Sequence, residues 1–147
     1  MKKYELLVDD TITFLGVQLF RIKALISFSG IKKGEVGGYV ESEKNLSQYG
    51  DAWVYGNAKV YGDAEVYGDA KVYGDADYIV FKNTWSSGRY FTYTKSNRKW
   101  RVGCFYGSGA ELVEKAYKDS KKSGDFYKAY VEFVEKLEAI ENTYKEQ

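Results

Sequence analysis

Between Gln48 and Asp77 apolar and polar positions recur with a period of six, in the units QYGDAW, VYGNAK, VYGDAE, VYGDAK and VYGDAD. Val54, Val60, Val66 and Val72 open four of them, and Ala52, Ala58, Ala64, Ala70 and Ala76 take the fifth place. Alternate side chains of an extended chain share a face, so Ala52 and Val54 are expected to point inward and Trp53 outward. The Gly-Asp or Gly-Asn pair between Tyr and Ala supplies a corner, because both residue types tolerate backbone angles that others resist. Short flat faces joined by tight turns follow. A fixed hexad of this kind marks a parallel β-helix.

Weaker hexads extend the register backwards, with Asn45 and Leu46 at the corner and small-residue places and Val40 one unit earlier. The stretch 36–77 then holds seven hexads, and Gly37 and Gly38 serve the turn into the first. Upstream, KYELLV and QLFRIKALIS read as strands, with a turn at Asp9 and Asp10 and a strand TITFL between them. Leu19, Ile22 and Leu25 also fall at helical spacing. Downstream, YIVFKN, RYFTYTKS and KWRVGCFYG predict three strands joined by polar turns at 84–88 and 96–98. Ser108 and Glu111 form a capping box that opens a helix with Leu112, Val113, Ala116 and Tyr117 on one face. Gly124 ends it, and Ser123 or Asp125 starts a second helix carrying Phe126, Tyr130, Phe133, Val134, Leu137, Ile140 and Tyr144 at helical spacing. The expected chain is mainly β with C-terminal helices, an α+β protein. Residues 1–35 form an N-terminal β-cap, 36–77 the hexapeptide-repeat β-helix, and 78–147 a three-stranded sheet with an αα-hairpin over it.

The repeat resembles the left-handed β-helix of the hexapeptide-repeat proteins, in which three hexads make one triangular coil. That resemblance implies that residues eighteen apart stack: Val54 on Val72, Ala52 on Ala70, Ala58 on Ala76. Coils would lie roughly 4.8 Å apart, and Lys59 would lie beside Asp77. The order YELL, LFRIKAL, KKGEVGGYVESEKNLS and then the hexads also resembles small bacteriophage and prophage proteins of the polymer-forming-like type, over roughly residues 3–77. It implies a fold and a phage origin, and no activity. Such prisms commonly pack side by side, which implies a homo-oligomer, a trimer or a dimer. Its candidate interface is the outward set Tyr49, Trp53, Tyr55, Tyr61, Tyr67 and Tyr73. The same rings read equally well as the cover of a thin prism.

A net charge of +1 conceals an uneven distribution. The hexads 48–77 carry −4, whereas 78–107 carries +6 with no acidic residue. Its cations are Lys82, Arg89, Lys95, Arg98, Lys99 and Arg101, interleaved with aromatic side chains. Positive charge among rings suits a ligand with both a phosphate and a base. The turn after Asn83 is the local candidate: Ser86, Ser87 and the Gly88 backbone as an anion nest, flanked by Trp85, Arg89 and Tyr90. Thr92, Thr94, Arg98 and Arg101 complete the candidate set. The plainer alternative is a small twisted sheet whose cations are solvated.

Histidine is absent and Cys104 is the one cysteine. The acyltransferases among hexapeptide-repeat proteins rely on a histidine base, and a Cys104 nucleophile would need one too. Classical His and Cys metal sites are excluded as well. The sequence therefore argues against an enzyme, and no metal or cofactor is expected. A lone cysteine fits a reducing compartment, here the host cytoplasm, and no apolar run is long enough to span a bilayer. Near-zero overall charge without a recognition motif makes duplex nucleic acid a poor match. The leading expectation is a non-catalytic phage protein that antagonises host defence by sequestering an anionic, nucleotide-type signalling ligand. The alternative is an inhibitor or assembly protein acting through the tyrosine faces or the helices.

Overall fold

A computed structural model describes residues 1–145, which form two compact units, Met1–Tyr106 and a second beginning at Gly107. The fold is α+β. Among the described residues it has ten strands in three sheets and two C-terminal helices.

β1 (Tyr4–Phe14) and β2 (Val17–Ala24) make an antiparallel hairpin, so TITFL continues the first strand instead of forming its own. The chain reverses at Leu15 and Gly16, both at positive φ. The expected turn at Asp9 and Asp10 is a bulge: Leu7 pairs with Arg21 and Thr11 with Phe20, leaving three residues unpaired between. Asp10 uses that freedom to reach the Arg21 guanidinium at 3.3 Å.

β3 (Val36–Val40) pairs antiparallel with β2 and parallel with β5 (Lys59–Val60). β4 (Trp53–Val54) pairs parallel with β6 (Lys71–Val72), and a bridge joins Leu46 to Val66. The chain thus returns alongside itself, Val54 on Val72 as expected, and Val40 on Val60 and Leu46 on Val66. The last two pairs are offset by twenty residues, because the stretch from Leu46 to Val54 is two residues longer than that from Val66 to Val72. Val40 and Leu46 therefore take the place of the unit-opening valines, not the small-residue place. The repeated Val and Ala side chains from Ala52 to Val72 are buried together with Val40 and Leu46. Each fully buried valine contributes about 1.5 kcal/mol or more.

Gly37 and Gly38 make no turn. They lie in β3, where an added Cβ would sit 2.5 Å from the Val54 carbonyl oxygen and 2.5 Å from that of Ala58. Glycine is required there for close approach of two backbones. Trp53 does leave the hexad face outward, yet it is 0% exposed, its ring edge-on to Tyr4 at 6.2 Å and to Phe28 at 5.4 Å. It is core, not an oligomer contact.

The hexad period stops at Gly74. Asp75–Asp77 form a 3-10 turn, with Asp77 accepting from the Tyr73 and Gly74 amides at 2.7 and 2.9 Å. Ala76 is exposed in that turn. Lys59 pairs with Asp75 at 3.6 Å, not with Asp77, whose carboxylate is already committed.

β7 (Tyr78–Lys82), β8 (Tyr90–Thr94), β9 (Lys99–Val102) and β10 (Phe105–Ser108) form a sheet in the order β10-β9-β8-β7. Four strands replace the expected three because KWRVGCFYG breaks at Gly103, whose φ is +56°.

In the second unit Ser108 caps α1 (Gly109–Asp119) as the sequence predicts: its Oγ accepts from Glu111 N, and Glu111 Oε1 accepts from Ser108 N. The helix ends at Asp119, not Gly124, because Ser120 is extended. α2 runs Lys121–Lys145 with Gly124 inside it. The Tyr117 ring lies where a Cβ at Gly124 would be.

Candidate functional site

The hexad rows end on two edges, and each is closed by side chains. At the upstream edge the glycine and alanine carbonyls of successive units need donors. Lys3 Nζ donates to Ala52 O at 2.8 Å and Gly50 O at 3.3 Å. Arg21 donates to Gly56 O, and the Asn45 amide donates to Gly62 O at 3.1 Å and Ala64 O at 2.8 Å. One layer on, backbone does the same work: Asp51 N donates to Gly68 O and Trp53 N to Ala70 O. At the downstream edge the amides of Lys59, Glu65 and Lys71 donate to Asp75 Oδ1, Thr92 Oγ1 and Ser96 Oγ, all at 2.8–3.0 Å. The Tyr78 and Tyr106 hydroxyls donate to the carbonyls of Lys59 and Tyr67.

This closure decides what the expected ligand residues do. Thr92 and Thr94 are buried on β8. Thr92 caps the Glu65 amide, and Thr94 Oγ1 donates to Asn97 Oδ1 at 2.7 Å. Arg101 bonds the Glu65 carboxylate at 3.3 Å and lies 4.2 Å over the Tyr67 ring. Neither threonine points to solvent, and Arg101 joins the sheet to the hexads. Part of the expected nest is used within the turn itself: Asn83 Oδ1 accepts from Trp85 N and Ser86 N, and Ser87 Oγ accepts from Arg89 N.

The remaining residues fall at the two ends of β8. The tip between β7 and β8 collects Trp85, Ser86, Ser87, Arg89 and Tyr90, together with Lys82, which is paired with Tyr90 in the ladder. Lys82 Nζ lies 5.7 Å over the Tyr90 ring, and the Arg89 guanidinium lies 2.6 Å from where a Cβ at Gly103 would be. Ser86, Ser87, Arg89 and Tyr90 are exposed there, whereas Trp85 is half-buried. Arg98, at φ +53°, sits in the turn at the opposite end.

The sequence reading missed Asn97. Its amide donates to Asp69 at 2.8 Å and to the Tyr106 hydroxyl at 2.7 Å, tying the 95–98 turn to the hexads. That hydrogen bond holds the Asp69 carboxyl below its ordinary pKa. It also missed an open cleft of about 480 Å³ lined by Tyr61, Asp63, Asp75, Tyr78, Val80 and Tyr90, among others. Both charged groups of this lining are acidic. Burial, then Tyr61 and Asp75, push the Tyr78 hydroxyl above its usual range.

Of the tyrosines expected on outer faces, Tyr49 is 83% exposed and Tyr73 is 59% exposed. Tyr73 stacks on Tyr55 at 4.5 Å, Tyr61 packs against Phe14 at 5.6 Å, and Tyr67 lies under Arg101. Cys104 is exposed. Among the described residues no cluster of His, Cys, Asp or Glu is placed to hold a metal ion, and no helix is long and apolar enough to cross a membrane. No protein-family model matches the chain, and no curated protein matches it.

Proposed function

We propose that this is a non-catalytic binding protein of phage origin whose hexads are coils of a short left-handed β-helix. It works in the host cytoplasm as a homo-oligomer and antagonises defence by sequestering an anionic, nucleotide-type ligand. The observation that carries this reading is the β7–β8 tip, where Lys82 and Arg89 lie with Tyr90 and Trp85 in a segment without acidic residues. Cations supply the phosphate contact and rings supply stacking for a base. In this reading a second copy supplies a further wall of the site. Thr92 and Arg101 are tied to Glu65 and Thr94 to Asn97, so in this reading they do not touch ligand.

Native mass spectrometry followed by denaturation tests this. The expected result is an oligomer that releases or takes up a phosphorylated nucleotide and loses it in Arg89→Ala with the assembly intact. An oligomer indifferent to a broad nucleotide panel would exclude the reading.

The exposed Tyr49 and the stacked Tyr55–Tyr73 pair favour the second reading, a protein-directed inhibitor or assembly factor. In that case partner binding survives Arg89→Ala and fails in Tyr73→Glu.

A further inference from the structure

The open cleft of about 480 Å³ lies wholly within the first unit. It is built from the hexad corner 61–63, Asp75 of the 3-10 turn, Tyr78, Ile79 and Val80 of β7, and Tyr90 of β8. Its volume falls in the range of small-molecule sites, roughly 300–1,000 Å³. The Tyr78 hydroxyl is taken by the Lys59 carbonyl at 2.9 Å, so what Tyr78 offers the cleft is its ring.

The charges of this cleft come as pairs. Asp63 Oδ1 holds Lys44 Nζ at 3.2 Å, and Asp75 holds Lys59 through its amide at 2.8 Å and its Nζ at 3.6 Å. Beside the lining, Glu41 accepts from Gly62 N, and Asp77 accepts from Tyr73 N and Gly74 N. Lys82 Nζ lies 5.7 Å over the Tyr90 ring, and the Arg89 guanidinium lies against Gly103. An arriving phosphate would meet two carboxylates at the wall. An arriving cation would meet carboxylates that lysines already neutralise. A neutral ligand meets neither obstacle. An ammonium beside a carboxylate presents donors next to an acceptor, and a hydroxyl is both at once. Hydrogen bonds from a hydroxyl to a carboxylate are of the shorter, stronger kind, and tyrosine rings suit an apolar C–H face.

We propose that this cleft binds a neutral carbohydrate. Its hydroxyls bond Asp63 and Asp75 with their lysines, and its C–H face packs on Tyr61 and Tyr78. The site shares Tyr90 with the β7–β8 tip, yet it stands whether or not a nucleotide binds there.

A glycan array of neutral, sialylated, phosphorylated and amino sugars, probed with the labelled full chain, reads the class of ligand. Neutral glycans are expected to bind and the charged ones are not. In calorimetry, Asp63→Asn and Lys44→Met should each weaken the best neutral glycan at least tenfold. Both side chains are exposed, so thermal denaturation should be unchanged in either variant. An array with no neutral glycan bound, or with binding confined to charged glycans, overturns the proposal. A neutral glycan held equally well by both variants overturns it too. Glycan binding by a chain indifferent to nucleotides would count against the tip reading alone.

Discussion

Lys3 Nζ donates to the Ala52 carbonyl at 2.8 Å, in the place where, eighteen residues on, the Trp53 amide donates to the Ala70 carbonyl. A side chain from the third residue stands in for a missing row of backbone. The cost is a buried ammonium, only 2% exposed, which burial lowers to a pKa of about 8 against a smaller raising pull from Asp51.

That cost fixes a pH dependence. Between about 8 and the ordinary lysine value of 10.5 the unfolded chain holds a proton on Lys3 that the folded chain has released, so stability rises with pH. The full difference is about 3 kcal/mol. Tyr4 and Tyr78, both raised mainly by burial, act oppositely above pH 10, where the unfolded chain loses their protons first. Urea titrations should therefore find a maximum near pH 10. In Lys3→Met the rise from pH 8 should vanish, with the variant about as stable as wild type at pH 7 and about 1–3 kcal/mol weaker at pH 10.

Thr92 and Arg101 should behave as structural groups. Thr92→Val leaves the Glu65 amide without its acceptor, and a loss of about 1–2 kcal/mol is expected with the denaturant slope unchanged. Arg101→Ala removes a half-exposed ion pair and a ring contact, for a loss of about 1 kcal/mol. Neither variant should alter ligand uptake, measured by calorimetry, whereas Arg89→Ala should abolish it.

Gly37→Ala places a methyl carbon 2.5 Å from a backbone oxygen of a neighbouring row, which cannot swing aside. A loss of about 3 kcal/mol is expected from overpacking. Gly56→Ala meets open space but must hold φ at +57°, so about 1 kcal/mol is expected there. Thermal denaturation of the pair separates close approach from backbone strain.

Periodicity carried the interior of the hexads into view, because Val54, Val72 and the alanines repeat the same contact. Where the period slips, the reading slipped with it. Two extra residues between Leu46 and Val54 move Val40 and Leu46 to another place, and nothing local in the sequence marks the insertion. Trp53 was misplaced because alternation tells which side of its own strand a residue takes, not what lies over it. The cover comes from Tyr4 and Phe28, far away along the chain. Basic and aromatic composition gives the β7–β8 tip the same standing as Thr92, Thr94 and Arg101. Their partners Glu65 and Asn97 are settled by tertiary contact, which composition does not encode.

The closed edges described above make the chain a counted structure. Lys3, Arg21 and Asn45 fit only the first row of carbonyls, and Asp75, Thr92 and Ser96 fit only the last row of amides. These carbonyls and amides are taken by the chain's own side chains and are not on offer to a head-to-tail copy. Length is free to change in the middle alone, and only in whole layers. A tandem duplication of eighteen residues within Val54–Gly74 returns both terminations to their own partners, whereas a gain of six or twelve would present each with the wrong side.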